Sequence, residues 1–279
     1  MPVRIVTDSS ADLAADEARE LGVEIVPLSV RFGAEEYTDG VDLSVAEFYD
    51  KLAASSDLPE TSAPSPGAFE AAYRRQAEAG ADAVVCLTLS SGLSATIQSA
   101  QNGADALEGD LDVRVVDSRA ITAALGTLVR TACEAAGRGA GPDEIVALVE
   151  DMSSRTRMLG ALDTLDNLKK GGRIGGAQAL LGSLLSIKPL LDISTGEVAE
   201  AGRARTRRRA LEWLRDQVFE RPTVEHLTVC HGMAPDLDDM LALLAPRYPA
   251  DKLRITVIGP TIGTHGGPRV MGLAWVDPA

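Results

Sequence analysis

One arginine stands between two glycine pairs in the run Gly171-Gly172-Arg173-Ile174-Gly175-Gly176, and a leucine-rich stretch follows it. A guanidinium at the mouth of an apolar region suits a ligand with an acidic head and an aliphatic tail. A hydrophobic core would account for the leucines alone. It would not account for the glycines, which cost backbone entropy and are kept where a chain turns sharply or approaches something closely. A second candidate is His265, in Ile262-Gly263-Thr264-His265-Gly266-Gly267-Pro268, a segment too rich in glycine for ordinary strand. Facing a cleft beside Arg173, its imidazole would hydrogen-bond an acidic head group. Three hydroxyl clusters complete the set: Thr7-Asp8-Ser9-Ser10, Thr61-Ser62 with Ser65, and Ser90-Ser91-Gly92-Leu93-Ser94-Ala95-Thr96. Each stands at a strand-to-helix transition, where helix N-termini present unpaired N–H groups to a carboxylate or phosphate. A single Ser or Thr there also serves as a plain helix cap, but a cap needs one hydroxyl and these loops supply several.

Other chemistries lack their signals. No Walker A sequence, GxGxxG or GxSxG occurs, so the usual phosphate-cradle, dinucleotide and nucleophile-elbow patterns are missing. Ser91 and Ser94 would need a base to act as nucleophiles, and the chain has 3 histidines, His226, His231 and His265. His226 and His231 bracket an expected strand without metal-ligand spacing and read as structural, so no metal is expected. Asp8, Asp39, Asp117 and Asp163 lie nearest the glycine and hydroxyl loops and are expected to orient hydroxyls and N–H groups, since no two are spaced as an acid–base pair. The run Arg203, Arg205, Arg207, Arg208, Arg209 is a basic island with two readings: a solvated face countered by Glu197, Glu200 and Glu212, or a steering surface for an acidic partner.

The elements that must hold these residues alternate in type. Short β-branched runs at 3–7, 23–30, 84–89 and 113–116 alternate with helical patterns at 11–21, from Val45, from Ser65-Pro66 and after Gly141-Pro142, the signature of βαβ units and a parallel sheet. Ser44 and Glu47 form a capping box, and Ser65 with Pro66 supplies an N-cap and a first-turn proline. Residues 37–40 read as a loop. Near 158–163 the character changes. A hairpin over 187–193 and 198–204, turning at Ser194-Thr195-Gly196, is followed by a helix at 206–218, a strand at 226–230, a helix at 235–244 and a strand at 253–258. Residues 259–268 read as a glycine-rich turn into a last apolar strand. The expected fold class is two-domain α/β, with an N-terminal parallel sheet flanked by helices over 1–160 and a C-terminal α/β domain with a mixed sheet over 161–279, the ligand cleft lying between them. The first carries the Ser/Thr loops, the second the Gly-Gly-Arg-Ile segment and the Gly-Thr-His loop.

Composition narrows the partners. The chain has 279 residues and a formal net charge of -14, which disfavours nucleic acid and anionic membranes because both need a positive field. Neither a leader pattern nor a run of about 18 apolar residues is present, so a cytoplasmic location without stable membrane insertion is expected. Cys86, Cys133 and Cys230 are scattered in apolar stretches and read as reduced core thiols. Aromatic residues are sparse at 4%, so an aliphatic ligand suits the interior better than a flat one.

Taken together, VTDSSADL at Val6, TSAPSPGAF at Thr61, LSSGLSATIQSA at Leu89, VVDSRAITAALG at Val115, DTLDNLKKGGRIGG at Asp163, LLSIKPLLDISTGEV at Leu184 and IGPTIGTHGGP at Ile258 resemble the DegV family over nearly the whole chain and in its motif order. That resemblance implies a bacterial cytosolic protein of two α/β domains holding a long-chain fatty acid between them. It further implies a carrier subunit, catalysing nothing alone and needing no cofactor, which presents the carboxylate to a fatty acid kinase for acyl phosphate formation in phospholipid synthesis. The implied ligand-binding residues are Thr61, Ser62, Ser91, Ser94, Arg173 and His265, with Thr61 and Ser94 foremost. Ala95, Gly266 and Arg269 depart from the family pattern near the head of the cleft. Leu180, Leu181, Leu184, Leu185 and Ile187 are candidates for the tail wall, or else plain core. Burying about fourteen methylenes at about 0.8 kcal/mol each gives on the order of 11 kcal/mol gross, against roughly 4–15 kcal/mol for association, so the tail must be almost wholly enclosed. The competing readings are a hydrolase or phosphotransferase using Ser94 and His265, and a lipid-responsive adaptor.

Overall fold

The computed structural model describes residues 2–180 and 187–279. The chain opens with β1 (Val3–Asp8), a 3-10 turn, α1 (Ala15–Leu21) and β2 (Glu24–Val26). The expected strand over 23–30 is split by Pro27, which has no N–H for a ladder. Its second half becomes β3 (Ser29–Phe32), followed by β4 (Glu35–Thr38), which takes in Tyr37 and Thr38 where a loop was expected. The helix expected from Ala11 starts only at Ala15, because Asp12 is left-handed at φ 50° and closes the preceding turn. Next come α2 (Val45–Ala54), with the Ser44–Glu47 capping box in place, β5 (Glu60–Ser62) and α3 (Pro66–Glu78), capped by Ser65. The parallel layer continues with β6 (Ala83–Thr88), α4 (Thr96–Asp105), β7 (Asp112–Asp117), α5 (Thr122–Gly137) and α6 (Pro142–Arg155).

From there the chain forms a second sheet. Its elements are β8 (Thr156–Ala161), α7 (Asp166–Lys170), β9 (Lys188–Asp192), β10 (Ala199–Ala204), α8 (Arg207–Phe219), β11 (Glu225–His231), α9 (Leu237–Leu244), β12 (Arg254–Val257), α10 (Pro260–Gly266) and β13 (Met271–Val276). The first sheet is parallel, in the order β2-β1-β6-β7. The second is mixed, β10-β9-β8-β13-β11-β12, with only β11 and β12 parallel among its neighbours. A small antiparallel sheet, β4-β3-β5, packs with α2 around Val30, Leu43, Phe48 and Tyr49. The protein is thus α/β, with a helix-flanked parallel sheet before a mixed one. The sheet changes at Thr156, so the expected division at residue 160 falls inside β8.

Burial follows from these layers. β6 is buried at all six positions, as an inner parallel strand covered on both faces should be. α3 and α4 cover one face of the parallel sheet through Phe69, Tyr73 and Ala100. α8 and α9 cover the outer face of the mixed sheet through Leu214, Met240 and Trp275. Between the sheets runs α5, buried at every residue from 122 to 130, because it meets apolar surface on all sides. The central core therefore joins Val85 and Leu125 to Met158 and Ile258 without interruption.

The segment over 259–268 departs most from expectation. The stretch has four glycines, each of which weighs against a helix interior by about 1 kcal/mol, yet residues 260–266 form α10. Pro260 presets the first turn, and tertiary packing needs a glycine within it: a Cβ on Gly263 would lie 2.7 Å from Tyr49 Oη and 2.8 Å from Phe48 Cε1. Packing therefore overrides propensity here.

Candidate ligand-binding site

A cavity of about 220 Å³ lies between the loops at the carboxyl edge of the parallel sheet and the inner face of the mixed sheet. Its wall is aliphatic, with Leu28, Leu89, Ile121, Met158, Ile193 and Ile258 among its members, and all six are buried. Thr61, Ser62, Ser94, Arg173 and His265 also line it, brought from four separate parts of the chain.

Each polar residue has a local cause for its place. Thr61 sits on β5, opposite Val30 of β3. Its Oγ1 lies 3.0 Å from His265 Nε2 on α10. Ser94 ends the loop after β6, and its hydroxyl pairs with Thr96 Oγ1 at 2.9 Å. Ser62 is exposed at the end of β5. Arg173 is exposed and, among the described residues, held by backbone carbonyls, Nε donating to Leu93 O at 3.2 Å and Nη1 to Gly171 O at 2.9 Å. No carboxylate forms an ion pair with it among the described residues, so its positive charge stays available to an anion.

The glycines beside it have the roles their residue type suggested. A Cβ on Gly171 would lie 2.3 Å from His265 Nδ1, so the imidazole occupies the space that any other side chain would fill. Gly172 is left-handed at φ 69°, and Gly175, at φ 48°, packs against Val198 O, where a Cβ would lie 2.6 Å away. Asn167 fixes the other side of α10, its Nδ2 donating to Thr264 O at 2.8 Å.

Burial, and secondarily the charge of Arg173, lowers the His265 pKa to about 4. The ring is therefore neutral at pH 7. A carboxylate only accepts hydrogen bonds, so Thr61 is free to donate to it when His265 Nε2 carries the ring proton and donates to Thr61 Oγ1. In the unfolded chain the imidazole reverts to about 6.5, so its contribution to stability is complete above that pH and is lost as pH falls through about 4. Asp8, pushed up to about 6 chiefly by burial, works with the opposite sign, relieving a folded-state penalty as it protonates. The His265 effect is isolated by difference: the stability advantage of the native protein over His265→Gln is expected to shrink by up to about 3 kcal/mol between pH 7 and pH 4. Urea unfolding at both pH values measures it, and a constant difference would contradict a neutral buried ring.

Not every expected residue joins the site. Ser91 is exposed and off the cavity wall, because Asp117 at the end of β7 takes both its N–H, at 3.1 Å, and its hydroxyl. This pairing holds the loop that carries Ser94. Leu180 is packed in the core away from the cavity wall, and Ile187 is half-buried and also off it. Leu181, Leu184 and Leu185 lie outside the described residues. Among the described residues the aliphatic wall of the cavity comes from dispersed residues such as Leu28, Met158 and Ile258, which no single motif marks.

The remaining candidates resolve into structural roles. His231 is buried, and its Nδ1 accepts the Ala234 N–H at 3.3 Å. Arg207 pairs bidentately with Asp236, and Arg208 and Arg209 both reach Glu212, as a solvated helix face would. Arg269 pairs with Asp163, which also holds Lys188. Cys86, Cys133 and Cys230 are free thiols. Among the described residues no helix is long and apolar enough to cross a membrane, and no group of three or more side chains has the arrangement to hold a metal.

An aliphatic slot on an α/β frame, ending in two hydroxyls, a neutral imidazole and a guanidinium with no carboxylate partner among the described residues, suits an amphiphile with an anionic head. Comparison with known proteins sharpens that class. The model of the family described as "Uncharacterised protein, DegV family" matches residues 2–277. A DegV domain-containing protein of Streptomyces coelicolor is 38% identical over 276 residues, covering 97% of each chain, and one of Listeria monocytogenes is 34% identical over 279 residues, covering 98% of each. This chain belongs to the DegV family. Among solved structures, a DegV family protein from Thermus thermophilus described as binding fatty acid superposes with a TM-score of 0.89 at 33% identity over 100% of both chains. DegV from Bacillus subtilis, described as a fatty acid binding protein, superposes with a TM-score of 0.87 at 29% identity over the same coverage.

Proposed function

We propose that this protein is a two-domain carrier, divided near residue 160, that binds a long-chain fatty acid in the aliphatic slot. Thr61, Ser94, Arg173 and His265 face the carboxylate, with Ser62 at the rim. The carrier presents that carboxylate to a fatty acid kinase, which transfers a phosphoryl group to a carboxylate oxygen and yields an acyl phosphate for phospholipid synthesis. It needs no cofactor of its own, the chemistry residing in the partner, and it acts in the cytoplasm. The observation that carries this reading is an aliphatic cavity whose polar residues converge at Thr61 and His265, 3.0 Å apart. The fatty-acid-binding relatives of the same fold support it.

The hydrolase reading finds no such support. The Ser94 hydroxyl pairs with Thr96, while His265 pairs with Thr61, so the expected nucleophile and base are not joined. Organic extraction of the purified protein followed by mass spectrometry is expected to release a long-chain fatty acid in near-equimolar amount. Loaded protein, a fatty acid kinase and ATP are then expected to give acyl phosphate. Protein that carries no acyl chain and takes up none when offered it would contradict the proposal, as would acyl-ester turnover by the protein alone.

A further inference from the structure

His265 and Thr61 belong to different elements, and something must hold α10 against the three-stranded sheet for the two to meet. Asp39 directly follows β4, its N–H bonded to Leu28 O at 2.9 Å and its side chain buried at 5% exposure. Its Oδ2 accepts the Thr261 hydroxyl, the Thr261 N–H at 3.3 Å and the Ser9 hydroxyl at 3.1 Å. Ser9 Oγ in turn accepts the Leu28 N–H at 3.0 Å. One carboxylate oxygen thus ties together the loop after β1, the end of β4 and the first turn of α10.

Position within the helix gives this tie its consequence. Thr261 and His265 are four residues apart on α10, so their side chains stand one turn apart on one face. Their partners stand on either side of β3, since Ser29 pairs with Thr38 on β4 and with Ser62 on β5, next to Asp39 and Thr61 respectively. The bonds Asp39–Thr261 and Thr61–His265 are therefore two rungs between the same sheet and the same helix. We infer that Asp39 is a positioning residue for the head-group site, acting through Thr261 to set the rotation and height of α10 at which His265 Nε2 meets Thr61. Its effect on affinity rests on the fatty-acid reading above; its effect on the imidazole does not.

Three variants test this: Asp39→Asn, Thr261→Val and Thr261→Ser, the last keeping the hydroxyl. The 15N resonances of the His265 ring and the Kd for palmitate are measured for each. Asp39→Asn and Thr261→Val are expected to move the His265 ring resonances and to raise the Kd at least tenfold, while Thr261→Ser restores both. Unchanged His265 resonances in Thr261→Val would overturn the inference, as would a Thr261→Ser variant as impaired as Thr261→Val, because bulk packing and not the hydroxyl bond would then set the helix. Should Asp39→Asn fail to fold, the Thr261 pair decides alone. Should the native protein bind no palmitate, the functional proposal fails while the ring resonances still decide the role of Asp39.

Discussion

A leucine at position 160 is expected to weaken long-chain fatty-acid binding by about two orders of magnitude while leaving the protein folded. Gly160 lies on β8, buried, on the wall of the slot. A Cβ there would meet Leu162 Cδ1 at 3.7 Å and Ile193 Cδ1 and Met271 O at 4.0 Å, all ordinary van der Waals distances, and the backbone does not need glycine's left-handed conformations. The added carbons therefore extend into space that the acyl chain would occupy. Excluding about four methylenes at about 0.8 kcal/mol each removes about 3 kcal/mol of binding free energy, or about two decades in Kd. The strand loses a conformationally loose residue, so thermal stability is expected to hold or rise. Isothermal titration of the folded variant with palmitate checks both halves. Affinity equal to that of the native protein would place the tail elsewhere.

The second large effect is expected at Gly171. Alanine there would put its Cβ 2.3 Å from His265 Nδ1 and 2.8 Å from Cε1, and 3.1 Å from Asn167 O. The last contact is with backbone that cannot move freely, so the imidazole is the group that gives way. Once displaced, it leaves Thr61, and the hydroxyl loses the donor that fixes its direction. The loss of one oriented hydrogen bond to a charged head, at about 1.5–3 kcal/mol, corresponds to a rise in Kd of roughly ten- to a hundredfold. Arg173 should be disturbed as well, because its Nη1 bonds to Gly171 O. Competition binding with a fluorescent fatty acid reads the change. A Gly171→Ala protein that binds as tightly as the native one would show that His265 does not contribute to holding the head.

Much of this arrangement was legible in the residues, for identifiable reasons. Local rules announced local structure: the Ser44–Glu47 capping box, the Ser65-Pro66 start and the hairpin turning at Gly196 all formed as their chemistry requires. The glycines around Arg173 were readable because a glycine pair beside a cation signals close approach, and His265 is what approaches. The small antiparallel sheet was not readable, since Pro27 divides one apolar run between two sheets and β4 carries mostly polar residues. Nor was α10, whose glycines argue against helix until Phe48 and Tyr49 are placed beside Gly263. Ser91 misled because its hydroxyl-rich loop looks uniform in sequence, whereas in space Asp117 takes one serine and the cavity takes another. Among the described residues the cavity wall comes from several strands and loops, a convergence set by topology that periodicity does not encode, while Leu181, Leu184 and Leu185 of the leucine run lie outside those residues. Asp39 was legible as a carboxylate that orients hydroxyls and N–H groups, but its partner Thr261, 222 residues away, was not.

The crystal structure of the protein saturated with palmitate is the most direct measurement of the central claim. The account predicts continuous density along the slot past Gly160 and Met158, with the carboxylate within hydrogen-bond distance of Thr61 and Ser94 and close to His265. A carboxylate at the Met158 end, or an acyl chain bound anywhere outside this slot, would contradict it.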